Sequence, residues 1–167
     1  TDVKDPHGQD LEAIVEELKL DKGQVVLSTV KLPPSDLSKL YNMADCTINI
    51  SDAEGFGLGT LESLACETPI IVNMTGGLQE QVTDGTNNFG IALNPSSKAV
   101  IGSQDVPYIY EDRLNKDDFV NAMVTFFQTP EEERKEMGRL GREHVKKNYS
   151  MAKFSGLWYQ TFKYVFE

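Results

Sequence analysis

Two glutamates, Glu54 and Glu62, lie on either side of a seven-residue segment that contains three glycines. Gly55, Gly57 and Gly59 allow the backbone to bend sharply and to approach a ligand without a Cβ atom in the way. A carboxylate accepts more than one hydrogen bond, which suits the paired hydroxyls of a sugar. The residue types and their spacing therefore predict a turn that could hold a phosphate beside a sugar diol.

The elements around this turn determine what it can bind. An apolar, β-branched run at 46–50 predicts a strand, and a helix is predicted to begin near Gly57 or Leu58, with Glu62 in its second turn. The first N–H groups of such a helix have no partner within the helix and attract anions. Open parallel sheets bind their ligands at this edge, beyond the carboxyl ends of the strands. On their own, glycines between acids at a helix start could equally form only a turn, and these three do not match the dinucleotide-binding fingerprint.

The remainder of the chain alternates short apolar runs with segments of helical periodicity. Strands are predicted at 25–27, 46–50, 69–72 and 89–93, with helices between them and after Asn115. This order predicts an α/β fold with a parallel sheet flanked by helices, and we interpret 1–167 as a single domain.

Two segments depart from this order. Residues 96–114 contain Gly102 and Pro107 and are predicted to form a surface loop or insertion. Residues 150–167 are predicted to form an aromatic-rich helix. Aromatic residues at helical spacing usually pack in a core, although these could instead pack on a partner domain.

Composition excludes several classes of function. The chain has 167 residues and a formal net charge of −10, which disfavours nucleic acid and anionic membrane surfaces as partners. Only two cysteines and two histidines occur, far from metal-ligand spacing, so no metal site is expected. No signal peptide or membrane span is recognisable, and unpaired cysteines favour a reducing compartment, so the expected location is cytoplasmic.

The sequence around the turn resembles glycosyltransferase family 4. The resemblance rests on the runs at 40–45, 51–58 and 61–71, on Gly76-Gly77 followed by Glu80, and on the two glutamates, which fit that family's E-x7-E signature. Members of the family are retaining enzymes of the GT-B architecture, which places two Rossmann-like domains across a cleft. The resemblance implies that this chain is the C-terminal, donor-binding half, and that it binds a nucleotide diphosphate sugar for transfer of a hexosyl group.

The resemblance also implies roles for individual residues. Glu62 would bind the ribose hydroxyls, and Glu54 would contact hydroxyls of the transferred sugar at the catalytic centre. Backbone near Val30 and Lys31 would hold the nucleobase. The sugar and diphosphate would lie against five residues of the turn, namely Gly55, Phe56, Gly57, Leu58 and Thr60.

Further expectations concern what the site needs besides these residues. No metal or other cofactor is expected, since the nucleotide sugar is a substrate. The family's Arg and Lys contacts to the diphosphate, and its N-terminal acceptor-binding domain, have no counterpart in this chain. We therefore expect the chain alone to be a poor catalyst or none, since stabilising charge on the leaving group supplies much of the rate. A GT-B-type epimerase domain and a non-catalytic nucleotide-sugar-binding or interaction module remain alternatives.

Overall fold

The computed structural model describes residues 2–6 and 8–166. Two compact units emerge, residues 1–37 and residues 38–167, and each is described by itself. The assignment of 1–167 to a single domain stays a prediction.

The N-terminal unit contains one complete helix, α1 (Leu11–Glu17), as predicted. Asp10 caps it, since its side chain accepts a hydrogen bond from the backbone N–H of Ala13 at 3.0 Å. Helix α2 (Pro34–Met43) runs across the boundary between the units and starts at a proline, which suits a first turn whose N–H groups are unpaired in any case.

The strand predicted at 25–27 is not formed. Val26 is 87% exposed, and no strand pairs with this run among the described residues. A β-branched run becomes a strand only when a neighbour satisfies its backbone groups, so local propensity was overridden here.

The C-terminal unit is built on a three-stranded parallel sheet in the order β1-β2-β3, which confirms the predicted fold class. All four residues of the central strand β2 are buried. Its two faces pack into separate apolar clusters, one around Ile70 and Phe89 and the other around Ile71 and Phe126. The sheet and the helices interleaved with it have the bounds β1 (Thr47–Asn49), α3 (Leu58–Ala65), β2 (Ile70–Asn73), α4 (Leu78–Val82) and β3 (Gly90–Leu93).

After β3 the chain forms an antiparallel hairpin where a loop was predicted. Its strands are β4 (Ser97–Ile101) and β5 (Ile109–Arg113). Most of its residues are exposed, so neither face shows the apolar alternation by which a half-buried strand is recognised. Two long helices come next in the chain, α5 (Lys116–Gln128), capped by Asn115 as predicted, and α6 (Glu131–Asn148).

The last helix, α7 (Met151–Phe166), forms as predicted, but it is not part of a core. All its described residues are exposed, including Trp158 at 48% and Phe162 at 52%. Their rings contact each other along the helix, with centroids 5.3 Å apart. The periodicity predicted the helix correctly, while the prediction that it packs in a core is wrong for this chain.

Candidate functional site

The glycine-rich turn connects the carboxyl end of β1 to the first turn of α3. Gly57 occupies the position before the helix with φ +82°, a conformation that side chains disfavour. A Cβ atom there would lie 2.6 Å from the Leu78 side chain. The first bond of the helix runs from the N–H of Leu61 to the carbonyl of Gly57, so the N–H groups of Leu58, Gly59 and Thr60 precede the helical ladder. They form the positive end of the helix dipole.

Glu54 lies before this helix and is half-buried. The side-chain amide of Asn49, the last residue of β1, donates to Glu54 Oε2 at 3.3 Å. The carbonyl of the same amide accepts from the N–H of Ser51 at 3.1 Å. Asn49 thus orients the carboxylate and shapes the backbone that leads to it, while the other carboxylate oxygen remains available as an acceptor.

Glu62 is exposed in the second turn of α3, as predicted. The phenol of Tyr41, in the last turns of α2, donates to Glu62 Oε2 at 3.1 Å. Partial burial, followed by this hydrogen bond and the charge of Glu62, raises the pKa of Tyr41 to about 12. The phenol is therefore a proton donor across the physiological range, and it holds Glu62 in one orientation.

Two consecutive glycines after β2 lie against the glycine-rich turn. Gly76 has φ +49°, and a Cβ atom there would fall 1.6 Å from the backbone carbonyl oxygen of Glu54. The N–H of Gly77 donates to the carbonyl of Gly55 at 3.1 Å. The loops after β1 and β2 are thus in direct backbone contact, which only glycine at position 76 permits.

A buried glutamine on α4 holds the glycine-rich turn through hydrogen bonds. The side-chain amide of Gln81, in α4, donates to the carbonyl of Phe56 at 2.6 Å. Its carbonyl oxygen lies 2.6 Å from the hydroxyl of Thr60, which also lies 2.8 Å from the carbonyl of Gly57. Thr60 is 1% exposed, so its hydroxyl bonds to the protein's own turn. Its predicted contact with phosphate stays a prediction.

The side chain of Phe56 connects the turn to the end of α6. Its ring makes an edge-on contact with Tyr149, with centroids 5.9 Å apart. Tyr149 in turn contacts His144, whose Nε2 lies 3.0 Å from the carbonyl of Glu80. Burial raises the pKa of Tyr149. Leu58, the first residue of α3, is by contrast 66% exposed.

Val30 and Lys31 belong to the N-terminal unit, in backbone without regular structure. They border a surface depression together with Val3 and Thr29. Their assignment as nucleobase contacts stays a prediction.

Within residues 2–6 and 8–166, no group of three or more His, Cys, Asp or Glu side chains could hold a metal ion. Cys46 and Cys66 are free and partly buried, and burial raises the pKa of both thiols. Over the same described part of the chain, none of the helices has the length and apolarity needed to cross a membrane.

The sequence pattern predicts the two acids and the glycines but not four side chains that hold them. Asn49 binds residues two and five positions away. Tyr41, Asn73 and Gln81 make their contacts through the fold, since these partners are 21 to 39 residues away in sequence. Only a polar residue among apolar ones, such as Asn73 at the end of an Ile-Ile-Val run, could have drawn attention to them.

A parallel sheet with a glycine turn and a helix start at its carboxyl edge is a Rossmann-like arrangement. Residues 4–144 match the family described as glycosyl transferases group 1, and the chain belongs to that family.

Curated relatives agree with this assignment. D-inositol 3-phosphate glycosyltransferase from Acidothermus cellulolyticus is 39% identical over 70 residues, which cover 42% of this chain and 16% of that protein. The enzyme of the same name from an Arthrobacter species is 27% identical over 119 residues, or 71% of this chain and 27% of its own length. The chain thus spans about a quarter or less of these relatives.

Two solved structures share the fold. Sucrose-phosphate synthase from Thermosynechococcus elongatus superposes with a TM-score of 0.70 at 23% identity, covering 97% of this chain and 36% of that one. The C-terminal domain of a glycosyl transferase group 1 family protein from Francisella tularensis gives 0.57 at 21% identity, covering 85% and 62%.

Proposed function

We propose that this chain is the donor-binding domain of a retaining glycosyltransferase, and that it binds a nucleotide diphosphate sugar for transfer of a hexosyl group to an acceptor. The observation that carries the proposal is that Glu54 precedes, and Glu62 follows, the N–H groups of residues 58–60 that open α3. An anionic diphosphate fits these N–H groups, and a carboxylate on each side fits the hydroxyl-rich ends of the same molecule.

In this proposal Glu62 accepts hydrogen bonds from the ribose hydroxyls. Its exposure leaves it accessible to a ligand, and the bond from Tyr41 fixes one carboxylate oxygen and leaves the other. Glu54 accepts from hydroxyls of the transferred sugar, with Asn49 holding its Oε2 in the same way. The backbone of Gly55, Phe56, Gly57 and Leu58 then lies along the sugar and the diphosphate.

The family resemblance implies a front-face reaction in which the leaving phosphate helps to accept the acceptor's proton. Glu54 acts in this scheme by positioning the sugar rather than as a nucleophile. The chain spans 16–27% of the two curated relatives. We propose that an N-terminal domain supplies the acceptor site, and that a further segment of the donor-binding domain supplies the basic contacts to the diphosphate. The chain alone would then bind the donor without turning it over.

Calorimetry of the chain with UDP, GDP, ADP and their sugar forms tests the proposal. We expect weak binding of one nucleotide class, and loss of about tenfold in affinity for Glu62→Gln, which keeps the shape of the side chain but accepts fewer hydrogen bonds. Glu133→Gln, an exposed glutamate on α6, is the matched control and should bind like wild type. Equal affinities for all three proteins would refute the ribose role, and no binding to any nucleotide would refute the donor-site assignment.

A further inference from the structure

One buried side chain outside the predicted site connects the loops that carry it. Asn73 ends β2 and has no exposed surface. Its amide donates to the carbonyl of Ser51 at 2.9 Å and to the carbonyl of Asp112 at 2.6 Å. Both amide hydrogens are therefore used, and the orientation of the side chain is fixed, because exchanging its nitrogen and oxygen would set an acceptor against two carbonyls.

The other end of this amide makes a costly contact. Asn73 Oδ1 is buried and has no hydrogen-bond partner among residues 2–6 and 8–166. A buried acceptor without a partner is destabilising, and its occurrence in a native structure calls for an explanation. The two donor bonds of Asn73 therefore come with the cost of an unpaired buried oxygen.

The first of these bonds holds the segment that leads to Glu54. Ser51, whose carbonyl Asn73 binds, also donates its N–H to Asn49, and Asn49 donates to Glu54. The carbonyl of Glu54 lies against Gly76, three residues after Asn73. Two asparagines at the ends of neighbouring strands therefore fix the segment between β1 and Glu54. Asn73 binds its backbone at Ser51, and Asn49 binds the carboxylate of Glu54.

The second bond of Asn73, to the carbonyl of Asp112, joins this residue to the β4–β5 hairpin. The N–H of Asp112, in β5, donates to the carbonyl of Asp52 at 2.7 Å, next to the carbonyl that Asn73 binds. The side chain of Asp112 accepts from the hydroxyl of Thr75 at 2.8 Å and pairs with Lys98 at 3.3 Å. Arg113 forms an ion pair with Asp52 at 3.1 Å. The hairpin is thus bonded to the loops after both β1 and β2, at the carboxyl edge of the sheet.

We propose that Asn73 is a positioning residue for Glu54, and that it makes the β4–β5 hairpin part of the wall of the donor site. Asn73, Ser51 and Asp112 together form the asparagine clamp. Because the clamp acts on Glu54 and not on Glu62, loosening it changes recognition of the sugar and leaves recognition of the nucleoside diphosphate. The ligand-binding half of this inference rests on the proposed function, whereas the coupling of the hairpin to Glu54 does not.

The experiment compares wild type with Asn73→Asp, which keeps the shape of the side chain but places a carboxylate against two carbonyls. Asn73→Ser is the second variant, which removes the two amide donors together with the unpaired oxygen, and it decides the question if Asn73→Asp does not fold. Ser63→Ala is the control for general loss of stability, since it removes a buried donor at the opposite edge of the sheet, where Ser63 binds Thr47 and the carbonyl of Thr68.

The first readout needs no ligand. In amide correlation spectra of the chain, the side-chain amide of Asn49 reports its bond to Glu54. We expect this signal and the backbone amide of Glu54 to shift in both clamp variants and to stay in place in Ser63→Ala. Shifts in the clamp variants that are confined to the hairpin and Thr75, with Asn49 unchanged, would overturn the proposal.

The second readout is calorimetry with UDP-glucose against UDP, and GDP-mannose against GDP. We expect the clamp variants to lose about tenfold in affinity for the sugar form and to keep the affinity for the nucleoside diphosphate. Equal losses for both forms would overturn a role centred on Glu54. If wild type binds none of these probes, the proposed function fails, while the spectra still decide whether the hairpin positions Glu54.

Discussion

The phenol of Tyr41 donates a hydrogen bond to Glu62 at 3.1 Å, from the end of α2 to the second turn of α3. A tyrosine 21 residues earlier in the sequence therefore holds the acid to which we assign the ribose. The contact is on the surface, so a ligand can reach Glu62 while Tyr41 restrains it.

Replacing Tyr41 by phenylalanine should weaken nucleotide binding. The variant keeps the ring and loses the donor to Glu62, so the carboxylate gains rotational freedom that binding must remove. We expect a loss of about 0.5–1.5 kcal/mol, or roughly three- to tenfold in Kd, measured by calorimetry. Tyr159→Phe on the exposed α7 is the control and should bind like wild type. An unchanged Kd for Tyr41→Phe would contradict the positioning role.

Partial burial of Tyr41 and its contact with Glu62 together predict how the phenol titrates. The pKa of Tyr41 is raised to about 12 in the folded chain from an ordinary value of 10.0. A folded pKa above the unfolded one means that the protonated phenol stabilises the fold fully below about pH 10, and that this contribution is lost as the pH rises through about 12. The phenolate absorbance of wild type minus that of Tyr41→Phe should therefore rise with a midpoint near pH 12, with circular dichroism monitoring the fold. A midpoint near pH 10 would argue against the partial burial of the phenol together with its contact with Glu62.

Gly76 should not tolerate a side chain. In Gly76→Ala a Cβ atom would overlap the carbonyl oxygen of Glu54, at a φ that disfavours alanine. We expect a loss of at least about 2 kcal/mol in the free energy of unfolding, measured by urea denaturation. Gly156→Ala, on α7 with open space around the glycine, should be neutral or stabilising by up to about 1 kcal/mol. Equal stabilities of the two variants would show that the glycine loops are not in contact.

Gln81 should contribute to the stability of the fold through the glycine-rich turn, although it has no exposed surface. Gln81→Ala leaves the carbonyl of Phe56 without its donor, and the hydroxyl of Thr60 without one of its acceptors. We expect a loss of about 1–3 kcal/mol in the free energy of unfolding, because a buried polar group would lose its partner. Gln128→Ala, at the exposed end of α5, should change stability by less than about 0.5 kcal/mol. A loss for Gln81→Ala no larger than for Gln128→Ala would contradict the supporting role.

Local signals in the sequence predicted much of the fold. The Cys46–Ile50 run, the glycine turn and the helix carrying Glu62 are expected from β-branched residues, glycine and helical spacing, and the structure confirms them as β1 and α3. The strand expected at 25–27 failed because a strand depends on a neighbour, which a local pattern cannot reveal. The hairpin at 96–114 was missed for a related reason, since its exposed strands carry no apolar alternation.

The candidate site could be predicted only in part. Glu54, Glu62 and the glycines are adjacent in sequence, so their spacing was visible. The clamp made by Asn73, and the bond from Tyr41, join residues that the fold alone brings together. Helix α7 is a further case in which a local pattern does not reveal tertiary contacts, because the pattern predicted an apolar face but not what that face contacts.

We propose that the start of α3, between Glu54 and Glu62, binds the diphosphate of a nucleotide sugar. An amide correlation spectrum of the chain, titrated with the nucleoside diphosphate that binds best, tests this. We expect the largest shifts at the N–H groups of Leu58, Gly59 and Thr60, with a smaller shift at Glu62. Largest shifts at any other part of the chain, with these three amides unmoved at saturation, would contradict it.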